Sequence, residues 1–281
     1  MLLAVVANTR SGGNTDPDRI IRLLTERGAT VRRLTLDALD DPLGDGVERL
    51  VVAGGDGSLG VAARAAHREK VPLAVLPTGT ANDFARALDL PRDLEQACAL
   101  AADPTAATRH REVGLFGDHP FVNAAAAGLS AVASRRAEPH KPRLGPLAYA
   151  VGALLAGATA PPLRCRVRCD GTERFAGDVW QVVVGATGAF GGGSQIGGTR
   201  PDDGLLDVAV VPAGPRVALV RRAYGMRRGQ LTEQADVPHH RGRKIEIDLP
   251  PGTPFNVDGD VRECHPALFA LLPGGVEVVV P

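Results

Sequence analysis

Leu2–Ala7, Leu50–Ala53 and Pro72–Leu76 are continuous apolar runs, and Ala29–Leu36 is a mixed apolar and basic one. Continuous runs of this length predict strands covered on both faces, as in a parallel sheet. Between them lie stretches that suit helices. Asp16 stands as a cap, Pro17 at a first helical position and Gly28 just past the end, with Ile20, Ile21, Leu23 and Leu24 as the apolar face. Leu59–Lys70 is rich in alanine and follows the third run directly. Strand and helix therefore alternate, which predicts an α/β layer.

Near Arg109 the period changes. Short strand patterns follow at Phe121–Ala125, Leu163–Cys169, Val179–Ala186, Leu205–Val211, Lys244–Leu249 and Val276–Val280. From Cys165 to Phe175 the residues alternate, with Arg164, Arg166 and Arg168 on one face and Cys165, Val167 and Cys169 on the other. Asp170-Gly171 supplies a tight hairpin turn. The pattern predicts an α/β domain over residues 1–110, a largely antiparallel β domain over 111–265, and a last strand within 266–281 that returns to the first domain. One long helical pattern interrupts the second half, Arg216–Gln230, with Val217, Leu219, Val220 and Tyr224 apolar and Arg221, Arg222, Arg227 and Arg228 basic. Such a face is either solvated or a contact for anionic lipid headgroups. Leu144–Leu163 carries no charge, but Gly152, Gly157 and Pro161-Pro162 leave a helix of about 13 residues, roughly 20 Å, too short to span a bilayer.

Composition narrows the function. The chain has 281 residues and balances 32 basic against 32 acidic ones, with only 4% aromatic residues. Neither a basic patch nor a base-stacking platform is predicted, so nucleic acid is excluded as a partner. Cys98, Cys165, Cys169 and Cys264 show no paired zinc spacing, and no basic region precedes the first apolar run. A cytoplasmic protein with reduced thiols is expected.

The candidate chemistry sits where strands end. Leu50–Ala53 runs into Gly54-Gly55-Asp56-Gly57-Ser58, and Pro72–Leu76 into Pro77-Thr78-Gly79-Thr80-Ala81-Asn82-Asp83-Phe84. Glycine turns entering helices bring backbone amides onto phosphates, and in an α/β sheet they gather at the carboxyl ends of the strands. Asn8–Asn14 follows strand one in the same way. Two acidic groups come later. Asp202, Asp203 and Asp207 flank a turn, below a flexible Gly191-Gly192-Gly193 stretch, and suit Mg²⁺ as well as they suit a plain β-turn. Asn256-Val257-Asp258-Gly259-Asp260 places two carboxylates around a glycine, where one can accept a hydroxyl proton. Phosphoryl transfer needs phosphate-holding amides, Mg²⁺ and a base, and each has a candidate.

Taken together, these motifs resemble the diacylglycerol kinase catalytic family, and within it the soluble bacterial lipid kinases, over nearly the whole chain. The resemblance implies an N-terminal phosphofructokinase-like, NAD kinase-like α/β domain and a C-terminal antiparallel β-sandwich, with ATP and Mg²⁺ in the cleft between them. Asn8, Arg10, Ser11, Gly12, Thr35, Gly54, Gly55, Asp56, Gly57, Ser58, Thr78, Gly79, Thr80 and Asn82 would lie at the nucleotide. Asp203 would hold Mg²⁺ with the carbonyls of Arg200 and Leu205, and Asp56 would help offset phosphate charge at the metal. Asp258, supported by Asp260, would be the general base. The implied reaction is phosphorylation of a hydroxyl on a lipid such as diacylglycerol. Three residues depart from the family pattern: Gly60 replaces an asparagine, Thr9 a proline and Asp260 a glutamate. A kinase of a small non-lipid alcohol, a kinase of NAD or a sugar phosphate, and a silent nucleotide-binding regulator stay open as alternatives. So do peripheral contact with an anionic membrane and a homodimer.

Overall fold

The computed structural model describes residues 1–8, 16–137, 157, 159–190, 194–196, 202–228 and 230–281. The chain divides into two compact units. The first is Met1–Val113 with His119–Val122 and Leu272–Pro281, and the second is Gly114–Asp118 with Asn123–Leu271.

The first unit is built on β1 (Leu2–Ala7), β2 (Thr30–Leu34), β3 (Arg49–Gly54), β4 (Leu73–Pro77), β5 (Ala107–Arg111) and β19 (Val276–Val280), in the order β2-β1-β3-β4-β19-β5. The strands β2, β1, β3 and β4 are mutually parallel, β19 is parallel to β4, and β5 is antiparallel to β19. Alternate residues of each strand face opposite ways, so the sheet has a core on either side. Leu3, Val5, Val51 and Leu76 pack with Ile20 and Leu24 of α1 (Pro17–Thr25) and Ala97, Cys98 and Ala101 of α4 (Leu94–Ala102). Val6, Leu50, Val52, Leu73 and Val278 pack with Leu59, Ala62, Ala63 and Ala66 of α2 (Asp56–Glu69) and with Phe84 of α3 (Asp83–Ala87).

The signals at α1 act as the sequence predicts. Asp16 accepts from the amides of Asp18 and Arg19, Pro17 opens the helix, and Gly28 follows at a φ of 80°. Arg49, at the start of β3 and only 4% exposed, donates to the carbonyls of Leu100, Ala101 and Asp103, closing the C-terminal end of α4.

The second unit is antiparallel. Its main sheet contains β6 (Gly114–Phe116), β8 (Ala124–Gly128), β9 (Leu163–Cys169), β10 (Thr172–Gly185), β15 (Lys244–Asp248), β16 (Phe255–Val257), β17 (Asp260–Arg262) and β18 (Ala267–Leu271), ordered β17-β16-β8-β10-β9-β15-β18-β6. The first half of β10 pairs β9, and its second half pairs both β8 and β13 (Leu206–Pro212), which in turn pairs β14 (His239–Gly242). Two short strands, β11 (Ala189–Phe190) and β12 (Ser194–Gln195), pair separately. Helices α5 (Leu129–Ala137) and α6 (Ala218–Arg227) belong to this unit, and β7 (His119–Phe121) to the first one.

The hairpin expected at Asp170-Gly171 forms, with φ values of 50° and 80°. The arginines opposite Cys165, Val167 and Cys169 lie in cross-strand ion pairs, Arg164 with Asp178, Arg166 with Glu173 and Arg168 with Glu246. Most of the uncharged stretch from Leu144 lies outside the described residues, and its last residue, Leu163, begins β9. Among the described residues no helix is long and apolar enough to cross a membrane.

All four cysteines are free. Burial pushes the Cys165 thiol up to about 12 and those of Cys98 and Cys169 up to about 11, whereas Cys264 is exposed. Thiolate is the reactive form, so raised values keep the three buried thiols inert at neutral pH. A chromogenic disulfide reagent is therefore expected to titrate one thiol rapidly in the native protein and four after denaturation. A second fast thiol would contradict the burial of β9 and α4.

Candidate functional site

Because β2, β1, β3 and β4 are parallel, their carboxyl ends share one edge of the sheet. Asn8, Thr35 and Thr78 follow those ends directly, and Gly54 is the last residue of β3. The strand order reverses at β1, whose two neighbours are β2 and β3. That reversal is the position at which open α/β sheets receive ligands. Asn8 and Gly54 flank it, and Asn8 is tied to the residues around Gly54: its side-chain amide donates to the Ser58 hydroxyl at 2.7 Å and its backbone amide to the Ala53 carbonyl at 2.8 Å.

The two glycine turns meet. A Cβ on Gly79 would fall well inside contact distance of the Gly55 Cα and 2.8 Å from the Asn82 side-chain oxygen, so only glycine allows this approach. Asn82, at a φ of 49°, holds the second turn by accepting from the Gly79 amide at 3.0 Å and donating to its carbonyl at 2.8 Å. The Thr78 amide reaches the Gly54 carbonyl at 3.2 Å, and the Thr78 hydroxyl is buried without a hydrogen-bond partner among the described residues. Thr80 and Thr35 are exposed.

Asp56 joins the turns more strongly. Its two carboxylate oxygens accept from the amides of Asp83 at 3.1 Å and Phe84 at 3.0 Å, at the first turn of α3. The carboxylate expected at the metal is thus turned into the protein, where it is 9% exposed. One consequence is a division of labour between the helices. The start of α3 is occupied by Asp56, whereas α2 begins at Gly55 with no side-chain cap. Uncapped first-turn amides with the positive end of a helix dipole fit a phosphate group. Arg10, Ser11 and Gly12 of the first loop lie outside the described residues.

Gly60 has a structural reason. A Cβ there would fall well inside contact distance of the Pro120 carbonyl oxygen and 3.2 Å from the Phe121 Cα, because α2 runs directly against the 119–121 strand. Asparagine cannot occupy the position without displacing that strand. Gly60→Asn is expected to cost about 1–3 kcal/mol in chemical denaturation. An unchanged midpoint would contradict the packing.

In the second unit, Asp207 is completely buried. One oxygen accepts from His239 Nε2 at 2.6 Å and Arg241 Nε at 3.0 Å, while the other has no partner among the described residues. Arg241 also pairs with Asp203 through its terminal nitrogen. Burial acts to lower the Arg241 guanidinium, and hydrogen bonds and charge from Asp203 and Asp207 outweigh it, holding it above its ordinary value. Among the described residues no group of three metal-ligating side chains exists. Mg²⁺ needs only one or two carboxylates and keeps its waters; Asp203, partly exposed, can supply one, whereas Asp207 is fully buried and held by His239 and Arg241. Leu205 directly precedes β13, and Arg200 lies outside the described residues. Sequence reading missed His239 and Arg241. The available signal was that an aspartate inside a strand pattern must find a buried partner, and the register sets Asp207 opposite Arg241.

The last acidic pair separates into two environments. Asp258 sits at a φ of 47° in the turn between β16 and β17, and its carboxylate accepts from the amides of Asn123 and Ala124, both at 3.0 Å. The Gly259 amide donates to the Asn256 side chain at 2.9 Å, completing the turn. Asp260 opens β17 with its side chain 57% exposed, 3.8 Å from Arg262.

Comparison with known proteins covers both units. A family profile described as "Diacylglycerol kinase catalytic domain" matches residues 3–110, and one described as "YegS C-terminal NAD kinase beta sandwich-like domain" matches residues 123–280. A Pseudomonas aeruginosa protein named "Probable lipid kinase YegS-like" is 33% identical over 294 aligned residues, spanning 99% of this chain and 89% of its own length. Solved structures share the fold. A diacylglycerol kinase from Bacillus anthracis aligns with a TM-score of 0.79 at 20% identity, over 99% of this chain and 96% of that one. An NAD kinase from Archaeoglobus fulgidus in complex with ATP aligns with a TM-score of 0.53 at 15% identity, over 99% and 93%.

Proposed function

The chain belongs to the diacylglycerol kinase catalytic family, as a YegS-like lipid kinase, and on that premise we propose that it transfers the γ-phosphoryl group of ATP to a hydroxyl of a lipid such as diacylglycerol. The observation that carries the reading is the uncapped start of α2 at the strand-order reversal, with the Gly79 turn packed against it. The first-turn amides of α2 hold the ATP phosphates, Asn8 and Ser58 line the same edge, and Asp56 fixes the second turn. Asp203 is the residue that would hold Mg²⁺, which when bound would offset phosphate charge.

Asp260 accepts the proton of the acceptor hydroxyl, and Asp258 positions it through the turn. This exchanges the roles expected from the sequence. Oδ1 of Asp258 accepts from two backbone amides, whereas the Asp260 carboxylate is accessible.

Incubation with γ-labelled ATP, Mg²⁺ and a panel of diacylglycerol, other lipid alcohols, glycerol, sugar phosphates and NAD tests the acceptor. Label in an organic-extractable product supports the lipid reading. Label confined to soluble products would replace it with a small-alcohol kinase, and nucleotide binding without transfer with a regulator.

A further inference from the structure

We propose that α6 docks the protein on the surface of an anionic phospholipid bilayer, through the face formed by Val217, Arg221, Tyr224 and Arg228. These residues follow one another at helical spacings of four, three and four and so form one stripe. Helical hydrogen bonding extends past both ends of α6, from the Ala218 amide to Pro215 at 3.0 Å and from the Arg228 amide to Tyr224 at 3.2 Å. Val217 is 79% and Tyr224 57% exposed, two of the three large exposed hydrophobic residues among the described ones. The Arg221 side chain is 66% exposed.

The opposite face anchors the helix. Leu219 packs on the cluster of Ala124, Trp180 and Leu231, and the buried Arg222 donates to the Pro212 carbonyl at 2.6 Å and to Asp236 at 3.0 Å. The stripe is therefore a surface with its core already satisfied elsewhere. Its charge is one-sided. Between Asp207 and Glu233 the sequence holds five arginines and no acidic residue. Among the described residues the one carboxylate paired with α6 arginines, Asp236, is shared by Arg221 and Arg222. The Arg228 guanidinium lies 4.6 Å from the centre of the Tyr224 ring, which keeps cation and aromatic side by side.

Guanidinium groups pair with phosphodiesters, and a tyrosine ring settles at headgroup level with its hydroxyl in water. Two apolar side chains are too little to hold a neutral bilayer, so the surface requires anionic lipid. The choice of a bilayer over another polyanion rests on the lipid-kinase reading.

The full chain is tested by sedimentation with phosphatidylcholine vesicles with and without phosphatidylglycerol, at low and high salt. Binding is expected only with phosphatidylglycerol and is expected to fall with salt. R221Q/R228Q is expected to weaken it about tenfold or more, and V217S/Y224S severalfold, with unchanged Tm. Wild-type protein that ignores anionic vesicles, a double arginine variant that binds as wild type, or binding to duplex DNA in place of vesicles would overturn the proposal. Transfer to a water-soluble short-chain diacylglycerol is scored on the same samples. Vesicle binding without transfer keeps this surface and removes the kinase reading, and transfer without vesicle binding does the reverse.

Discussion

Asp260→Asn is expected to lower kcat about 10²–10⁴-fold, the usual contribution of a positioned general base, with Tm and the KM for ATP unchanged. The fold does not depend on this carboxylate, because its side chain is 57% exposed and its ionic neighbour, Arg262, is 3.8 Å away. Asp258→Asn is expected to behave differently. It alters an acceptor that holds the amides of Asn123 and Ala124 and steadies a turn at positive φ, so stability falls together with activity. Full activity in Asp260→Asn would return the base to Asp258. Comparing kcat and melting curves for the two variants separates the roles.

Asp56→Ala is expected to destabilise the first unit by about 2–5 kcal/mol and to abolish detectable nucleotide binding. Removing the carboxylate leaves the buried amides of Asp83 and Phe84 without that acceptor, each at a cost of about 1–3 kcal/mol. The loss reaches the site because the same carboxylate joins the two glycine turns. Asp56→Asn keeps one acceptor oxygen and is expected to lose about half as much. Urea denaturation and ATP titration check both variants, and wild-type affinity in Asp56→Ala would show that the turns do not need the tie.

Local features were legible in the sequence. The bounds of β9 and β19, the caps of α1 and the Asp170-Gly171 hairpin follow from period, proline, glycine and capping chemistry within a few residues. Tertiary ties were not. Phe121–Ala125 reads as one strand but is split into β7 and β8, with the Asn123 amide between them donating to Asp258. Asp56 reads as a carboxylate at the nucleotide and metal, and its partners are amides on another turn. The glycine at 60 reads as a lost polar contact, and its cause is the Pro120 backbone. Asp207 reads as one of the carboxylates flanking a turn at the start of a strand, and its partners His239 and Arg241 lie on β14. Each depends on a contact distant in sequence, which no window of residues contains.

The central claim is that the start of α2, held against the Gly79 turn, carries the nucleotide phosphates. Hydrogen exchange with a non-hydrolysable ATP analogue and Mg²⁺ tests it most directly. The account predicts slowed exchange in peptides covering Gly54–Ser58 and Thr78–Asn82, and none of this slowing in Asp56→Ala. Unchanged exchange in both turns with the analogue bound would contradict it.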